Sequence, residues 1–153
     1  MPFNLIWQIP ARHYWEHRWL RFLLSELDIV EHDDTTGDGF NHVGRYGLTL
    51  PNAIVVDTGR FSQAPGTGAH QRMMAGRLAY YEAFRRQGHK IALVHLGDEM
   101  GQDLPIQAYA NFAAVLRNYA YPQFDALAHV MTVPLGFASM SGDSAQPVRR
   151  DIV

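Results

Sequence analysis

Cysteine is absent from this chain of 153 residues, so disulfides and thiolate metal sites are excluded, in keeping with a reducing compartment. Long apolar runs are absent too: none approaches the roughly 18 residues that a membrane-crossing helix requires. Met1-Pro2-Phe3-Asn4 has neither the basic stretch nor the apolar core of a secretory leader. Together these absences point to a cytoplasmic protein without a membrane span. Charge of one sign is also scarce. The formal net charge is −2, and the basic pairs are Arg85-Arg86 and Arg149-Arg150. A nucleic-acid binder would gather a basic face, so no nucleic-acid partner is expected.

What is present suits a folded core, with 47% hydrophobic and 12% aromatic residues in a chain of ordinary domain length. Leu5-Ile6-Trp7-Gln8-Ile9, closed by Pro10, reads as a first strand. Over residues 11–27, Trp15, Trp19, Phe22, Leu23 and Leu27 recur at helical spacing, which predicts an amphipathic helix with that stripe inward. A short strand is expected at Asp28-Ile29-Val30-Glu31, then a turn-rich acidic loop from Asp33 to Gly39. Ala53-Ile54-Val55-Val56-Asp57 is a β-branched run bounded by turn residues. The next helix is expected over 69–87, with Met73, Leu78, Tyr81 and Phe84 inward and Gly88 as its stop. Ile91 to Leu96, Phe112 to Leu116 and His129 to Val133 supply the remaining strands. Short, continuous apolar strands separated by helices predict an α/β, Rossmann-like three-layer domain over residues 1–138, with a mainly parallel sheet of about five or six strands. Residues 139–153 are small, polar and finally basic, and read as a tail or interdomain linker.

In an open parallel sheet, ligands bind beyond the carboxyl ends of the strands, where loops converge and helix amino termini point inward. Arg12 follows the first strand and Asp57 ends a middle one. Gly97, Asp98 and Glu99 follow His95-Leu96; Arg117, Asn118 and Tyr119 follow Leu116; Pro134 and Gly136 follow Val133. Arg12, Asp98, Glu99 and Arg117 are thus expected to converge on one edge. A carboxylate there can take a proton from a hydroxyl while a guanidinium holds an anion, and two adjacent carboxylates can differ in proton affinity. For each residue singly the alternative is structural, with Asp98 capping the turn and Arg117 neutralising it.

Three runs occur in order over about residues 90–137: Ile91-Ala92-Leu93-Val94-His95-Leu96-Gly97-Asp98-Glu99, Val115-Leu116-Arg117-Asn118-Tyr119-Ala120-Tyr121-Pro122 and His129-Val130-Met131-Thr132-Val133-Pro134-Leu135-Gly136-Phe137. They resemble strand-turn motifs of the exostosin-like glycosyltransferases. Before residue 90 the likeness is limited to an early strand and an aromatic-rich helix. The resemblance implies the amino-terminal, acceptor-side half of a GT-B arrangement, in which two Rossmann-like domains hold substrates in the cleft between them. It implies inverting transfer of a sugar from a nucleotide-sugar donor to a hydroxyl acceptor, with Asp98 or Glu99 as general base. Arg117 is implied to hold diphosphate or acceptor charge and His95 to support the turn, with Arg12, Gly97, Asn118, Tyr119, Pro134 and Gly136 as further substrate contacts. No cofactor and no essential metal are implied, because helix termini and basic groups can neutralise a leaving diphosphate. The implied partners are a carbohydrate acceptor and a donor-binding domain, with a second copy of the chain as another way to cover the open face. The sequence departs from the family pattern where His129 stands for Asn and Phe137 for Tyr. It also lacks the donor half, so transfer is expected only when that half is supplied.

Other readings are weighed by the residues they need. A phosphoacceptor receiver domain requires an acidic pair after the first strand and a lysine after the last, where this chain has Gln8-Ile9-Pro10 and Pro134-Leu135-Gly136. His13-Tyr14-Trp15-Glu16-His17 matches the H-x-x-E-H zinc-peptidase pattern, but no third ligand is identifiable and the same helix supplies Trp15 and Trp19 to the core. Gly66-Thr67-Gly68 lacks the third glycine of a dinucleotide loop, and Asp33 to Asp38 lacks calcium-loop spacing. A non-catalytic glycan- or protein-binding domain stays open, as a partner subunit or a degenerate fragment, and an exposed apolar patch would mark its partner's face.

Overall fold

Runs such as Leu5-Ile6-Trp7 and Ala53-Ile54-Val55-Val56 carry apolar side chains on both faces, and a sheet must be covered on both sides to bury them. The computed structural model, which describes residues 2–8, 16–34, 52–57, 66–98 and 101–133, has such a sheet. Its strands are β1 (Phe3–Gln8), β2 (Ile29–Asp34), β3 (Asn52–Asp57), β4 (Lys90–His95), β5 (Ala114–Arg117) and β6 (Val130–Thr132). Their order is β2-β1-β3-β4-β5-β6, and every neighbouring pair is parallel. The α/β, Rossmann-like expectation holds, with a six-stranded sheet that is wholly parallel. From β1 the chain steps one way to β2, then returns past β1 to β3 and continues outward. That reversal places a topological switch between β1 and β3.

The two faces follow from strand alternation. Leu5, Trp7, Ile54, Val56 and Val94 point to one face, where Leu20 of α1 (Glu16–Leu23) packs with Leu96. Ile6, Ala53, Val55, Ile91, Leu93 and Val115 point to the other, where Tyr80, Tyr81 and Phe84 of α2 (Gly68–Arg86) close the core. A 3₁₀ segment at Ile106–Asn111 adds Ala108 and Tyr109 to that second layer, and a short one at Pro122–Phe124 adds Phe124. Edge-on aromatic contacts knit this layer, with ring centroids 5.0 Å apart for Tyr80 and Phe84 and 4.9 Å for Tyr81 and Phe112. Thr67 caps α2, its hydroxyl accepting from the His70 N–H at 3.2 Å. At the other end Gly88 takes φ 82°, and the His89 N–H returns to the Phe84 carbonyl, which is the expected stop.

Two expectations need correction. The inward side of α1 carries Leu20, at 1% exposure, and half-buried Leu24 follows it just past the helix end, while Phe22 is 62% exposed and Leu23 48%. Residues two apart on a helix point well away from each other, so a helix that buries Leu20 turns Phe22 outward. Leu27 lies beyond the helix end and is exposed; Trp15 lies outside the described residues. In α2 the fully buried positions include Arg77, whereas Met73 and Leu78 are half-buried. β2 also runs further than expected, taking in Asp33 and Asp34; the rest of the acidic loop and the segment 139–153 lie outside the described residues. No described helix is long and apolar enough to cross a membrane.

These burial assignments have a direct mutational consequence. Phe84→Ala is expected to lower the urea-unfolding free energy by about 3–5 kcal/mol through a core cavity. Phe22→Ala is expected to stay within about 0.5 kcal/mol of the parent, as exposed sites do.

Candidate functional site

Strand register assembles the site. Asp57 of β3 lies opposite His95 of β4, His95 opposite Arg117 of β5, and Arg117 opposite Thr132 of β6. Alternation carries Asp57, His95 and Arg117 to the same face as Val55, Leu93 and Val115, one step beyond the apolar layer. The sheet core therefore ends in a polar row at its carboxyl edge. α2 runs antiparallel to the strands in a crossover, and its middle turns lie against that row. Arg77 and Tyr81, one turn apart on the stripe that continues to Phe84, meet the row there.

Asp57 is 4% exposed. Its Oδ2 accepts from Arg77 Nε at 2.9 Å, from Arg77 Nη2 and from the Tyr81 hydroxyl, both at 2.5 Å. Burial by itself would weaken the Arg77 cation, but Asp57, with Tyr81 and Asp103, more than offsets it, and the guanidinium stays charged. Burial, reinforced by the Asp57 carboxylate, raises Tyr81 well above the ordinary phenol value, so its proton stays on the hydroxyl. So enclosed an Asp57 has no access for phosphoryl transfer, which removes the receiver reading by geometry as well as by sequence.

The strand β4 leads through Leu96 into Gly97, whose φ of 79° turns the chain. Asp98 follows, 2% exposed, with Oδ1 accepting from the N–H groups of Gln102 (2.9 Å) and Asp103 (3.3 Å). Its Oδ2 accepts from Arg117 Nη2 at 3.1 Å. Arg117 is 1% exposed and makes two further hydrogen bonds inside: Nε to the Tyr119 carbonyl at 2.8 Å and Nη1 to the Tyr109 hydroxyl at 3.0 Å. The guanidinium carbon stands 3.8 Å from the centroid of the Phe124 ring, a cation–π contact in a desolvated setting. Asn118 Oδ1 accepts from the Gly97 N–H at 3.2 Å, which ties the turn after β4 to the turn after β5.

His95 is fully buried between these two pairs. Its Nδ1 lies 2.7 Å from the Tyr109 hydroxyl, and its Nε2 lies 3.4 Å from Arg77 Nη2 and 3.5 Å from Asp103 Oδ2. Arg77 Nη1 also donates to the Asp103 carbonyl at 3.4 Å. Burial raises the Tyr109 phenol above its ordinary value despite the nearby Arg117 cation. Asp57, Arg77, His95, Asp103, Tyr109, Arg117 and Asp98 form one continuous buried network.

Of the residues expected to meet at this edge, His95, Gly97, Asp98, Arg117, Asn118 and Tyr119 do meet. Arg12, Glu99, Pro134 and Gly136 lie outside the described residues. His17, from the zinc-peptidase pattern, packs its ring 4.5 Å from that of Trp7; His13 lies outside the described residues. Arg77, Tyr81, Asp103 and Tyr109 were not expected at the site. Arg77 left one signal in the sequence: it sits four residues before Tyr81 and seven before Phe84, inside the apolar stripe. Asp103 and Tyr109 left none, because they arrive on an irregular segment without periodicity. Chemically, Asp98 and Arg117 arrive with their polar atoms engaged and serve as anchors, while the half-buried Gly97 and Tyr119 form the accessible rim.

The network sets an unequal pair of outcomes. Arg77→Met, which strands the Asp57 carboxylate in the core, is expected to cost about 3–5 kcal/mol in urea unfolding. The double variant Asp57→Leu/Arg77→Met is expected to recover part of that loss, since removing both charges leaves no uncompensated ion. Arg85→Ala breaks an exposed ion pair with Glu82 and is expected to leave the urea midpoint almost unchanged. Compared with known proteins, the chain matches no family model, no curated protein and no solved structure.

Proposed function

We propose that this chain is the acceptor-side domain of an inverting glycosyltransferase, acting on a hydroxyl acceptor once a donor-binding domain is supplied. One observation carries the reading. The runs ending in Leu96, Leu116 and Val133, which bear the resemblance to the exostosin-like enzymes, lie on adjacent parallel strands, and the first two are bonded tip to tip through Asn118 and Gly97. Residues far apart in sequence thereby share one edge, where ligands of open parallel sheets bind.

The burial of Asp98 refines the roles. A base must reach the acceptor hydroxyl, and Asp98 has both oxygens engaged in the turn and in the Arg117 pair. Asp98 is therefore assigned to position the turn, and Glu99, the next residue, to take the proton. The deprotonated acceptor oxygen then bonds to the anomeric carbon as the bond to the diphosphate breaks, inverting that centre. Gly97, Asn118 and Tyr119 line the acceptor side, and Arg12, which follows β1 in the sequence, is a further candidate contact. The same burial favours a second reading, a glycan-binding domain without catalysis of its own, because the described charged groups serve each other.

Amide-resolved NMR titration of the chain with acceptor oligosaccharides and, separately, with nucleotide sugars tests both. Acceptor sugars are expected to shift Gly97, Asn118 and Tyr119, and nucleotide sugars are expected to show no micromolar binding. Silence toward every sugar sinks both readings; micromolar nucleotide-sugar binding sinks the assignment to the acceptor side. In a protein joined to its donor half, Glu99→Gln is expected to lower turnover by at least about 100-fold with folding intact. Full turnover in that variant would remove Glu99 from the mechanism, and a joined parent that binds acceptor sugars without turnover would leave the glycan-binding reading.

A further inference from the structure

Asp103 is 7% exposed and its Oδ2 has no hydrogen-bond donor. Its polar neighbours are His95 Nε2 at 3.5 Å and Arg77 Nη1 at 3.9 Å. A bare carboxylate left that way in a core is costly. The charges of the network give the same message. Among the described residues the carboxylates of Asp57, Asp98 and Asp103 meet the guanidiniums of Arg77 and Arg117, and Asp103 is the one whose nearest neighbour, His95, is not a permanent cation. Tyr81 and Tyr109 keep their protons and add no further charge.

Two occupants can neutralise that carboxylate, a proton or a metal ion. Ligand atoms of His95, Asp98 and Asp103 lie within 4.8 Å of one another. A divalent ion fits poorly there. It would sit among two guanidiniums and compete for an Asp98 already accepting from Gln102, Asp103 and Arg117. A proton fits. The Arg77 N–H group facing His95 Nε2 at 3.4 Å marks that nitrogen as an acceptor, and Asp103 Oδ2 lies beside it.

We propose that Asp103 is lodged against His95 Nε2 as a protonated acid, and that this one proton latches the turn after β4. Asp103 is tied into that turn twice, its N–H donating to Asp98 Oδ1 and its carbonyl accepting from Arg77. Ionisation sets a second carboxylate beside Asp98 and against the lone pair of His95, and loosens both ties. The groups facing the pair are Arg77 from α2, Asp57 from β3 with Tyr81 behind it, Tyr109 from the 3₁₀ segment, Arg117 from β5, Asp98 from the turn itself, and His129, which meets the Tyr109 carbonyl at 2.8 Å. The latch does not depend on the glycosyltransferase reading.

Burial raises the Asp103 carboxyl above its usual value, with Asp98 adding to the shift and His95 and Arg77 opposing it. The unfolded chain releases this proton near the ordinary aspartate value, about 3.9. From there up to the raised folded value, the folded chain holds a proton that the unfolded chain lacks, so stability from this group falls as pH rises. Carboxyl-¹³C aspartate NMR of the full chain, assigned with Asp103→Asn, reads the site directly. Asp103 is expected to stay protonated after exposed aspartates have ionised. Across the same window the unfolding constant of the parent is expected to rise relative to Asp103→Asn by up to about tenfold per pH unit. Amide exchange at Gln102 and Asp103 is expected to quicken beyond its intrinsic pH dependence in the parent. An Asp103 carboxyl titrating at or below the ordinary value overturns the proposal, even where the variant does not fold. Saturable stabilisation by magnesium, manganese or zinc, reversed by chelator, overturns it in favour of the metal.

Discussion

The buried pair of Asp57 and Arg77 is the contact on which the carboxyl edge depends. Energetically, such a pair is no bargain: desolvating two ions consumes most of their attraction, and matched apolar residues often do as well. Its force lies in what it forbids. A slip of β3 by one residue would swing Asp57 to the face covered by α1, among Leu5, Trp7 and Val94, away from Arg77. A turn of α2 about its axis would likewise take Arg77 from its carboxylate and leave both charges stranded. The pair thereby fixes register and helix rotation together, and everything placed by that register follows.

The first thing placed is the polar row. Asp57, His95 and Arg117 are level across three strands because the sheet is parallel and in register. Each then finds a partner from a different segment: Arg77 from α2, Tyr109 from the 3₁₀ segment, Asp98 from the turn after β4. Two charge pairs sit on either side of one histidine, and Tyr109 joins the histidine to Arg117. In a low-dielectric setting such chains of hydrogen bonds are costly when incomplete. A single orphaned oxygen, on Asp103, thus carries more meaning than it would at the surface.

The sheet was legible in the sequence because continuous β-branched and apolar runs such as Ala53 to Val56 and Ile91 to Leu96 leave few alternatives. Helix α2 was legible in extent from its turn residues and Gly88, and Leu78, Tyr81 and Phe84 of its expected inner face do meet the core, but Arg77 on that face was missed. A pattern that counts only apolar residues passes over Arg77, whose burial is decided by Asp57 twenty residues away. In α1 the misjudgement ran the other way: Phe22 is large and apolar, yet the sheet offered its groove to Leu20. At the site, His95, Asp98 and Arg117 were found because strand ends can be located from strand interiors. Asp103 and Tyr109 were not, since irregular segments carry no period from which to infer what they face.

The geometry also separates anchoring from chemistry within the proposed function. The topological switch lies between β1 and β3, while the runs that resemble the glycosyltransferase motifs end β4, β5 and β6. β3 stands between the two places, and its Asp57 is withdrawn into the pair with Arg77. An acceptor crossing from the switch toward the turn after β4 therefore meets no open charge from β3. It would take its polar contacts from the rim, from Gly97 and Tyr119, and from the residues that follow β1 and Asp98. On that reading the conspicuous ions of the edge are its frame. Their burial makes the frame rigid, and rigidity is what any group that is to take a proton from a positioned hydroxyl requires of its support.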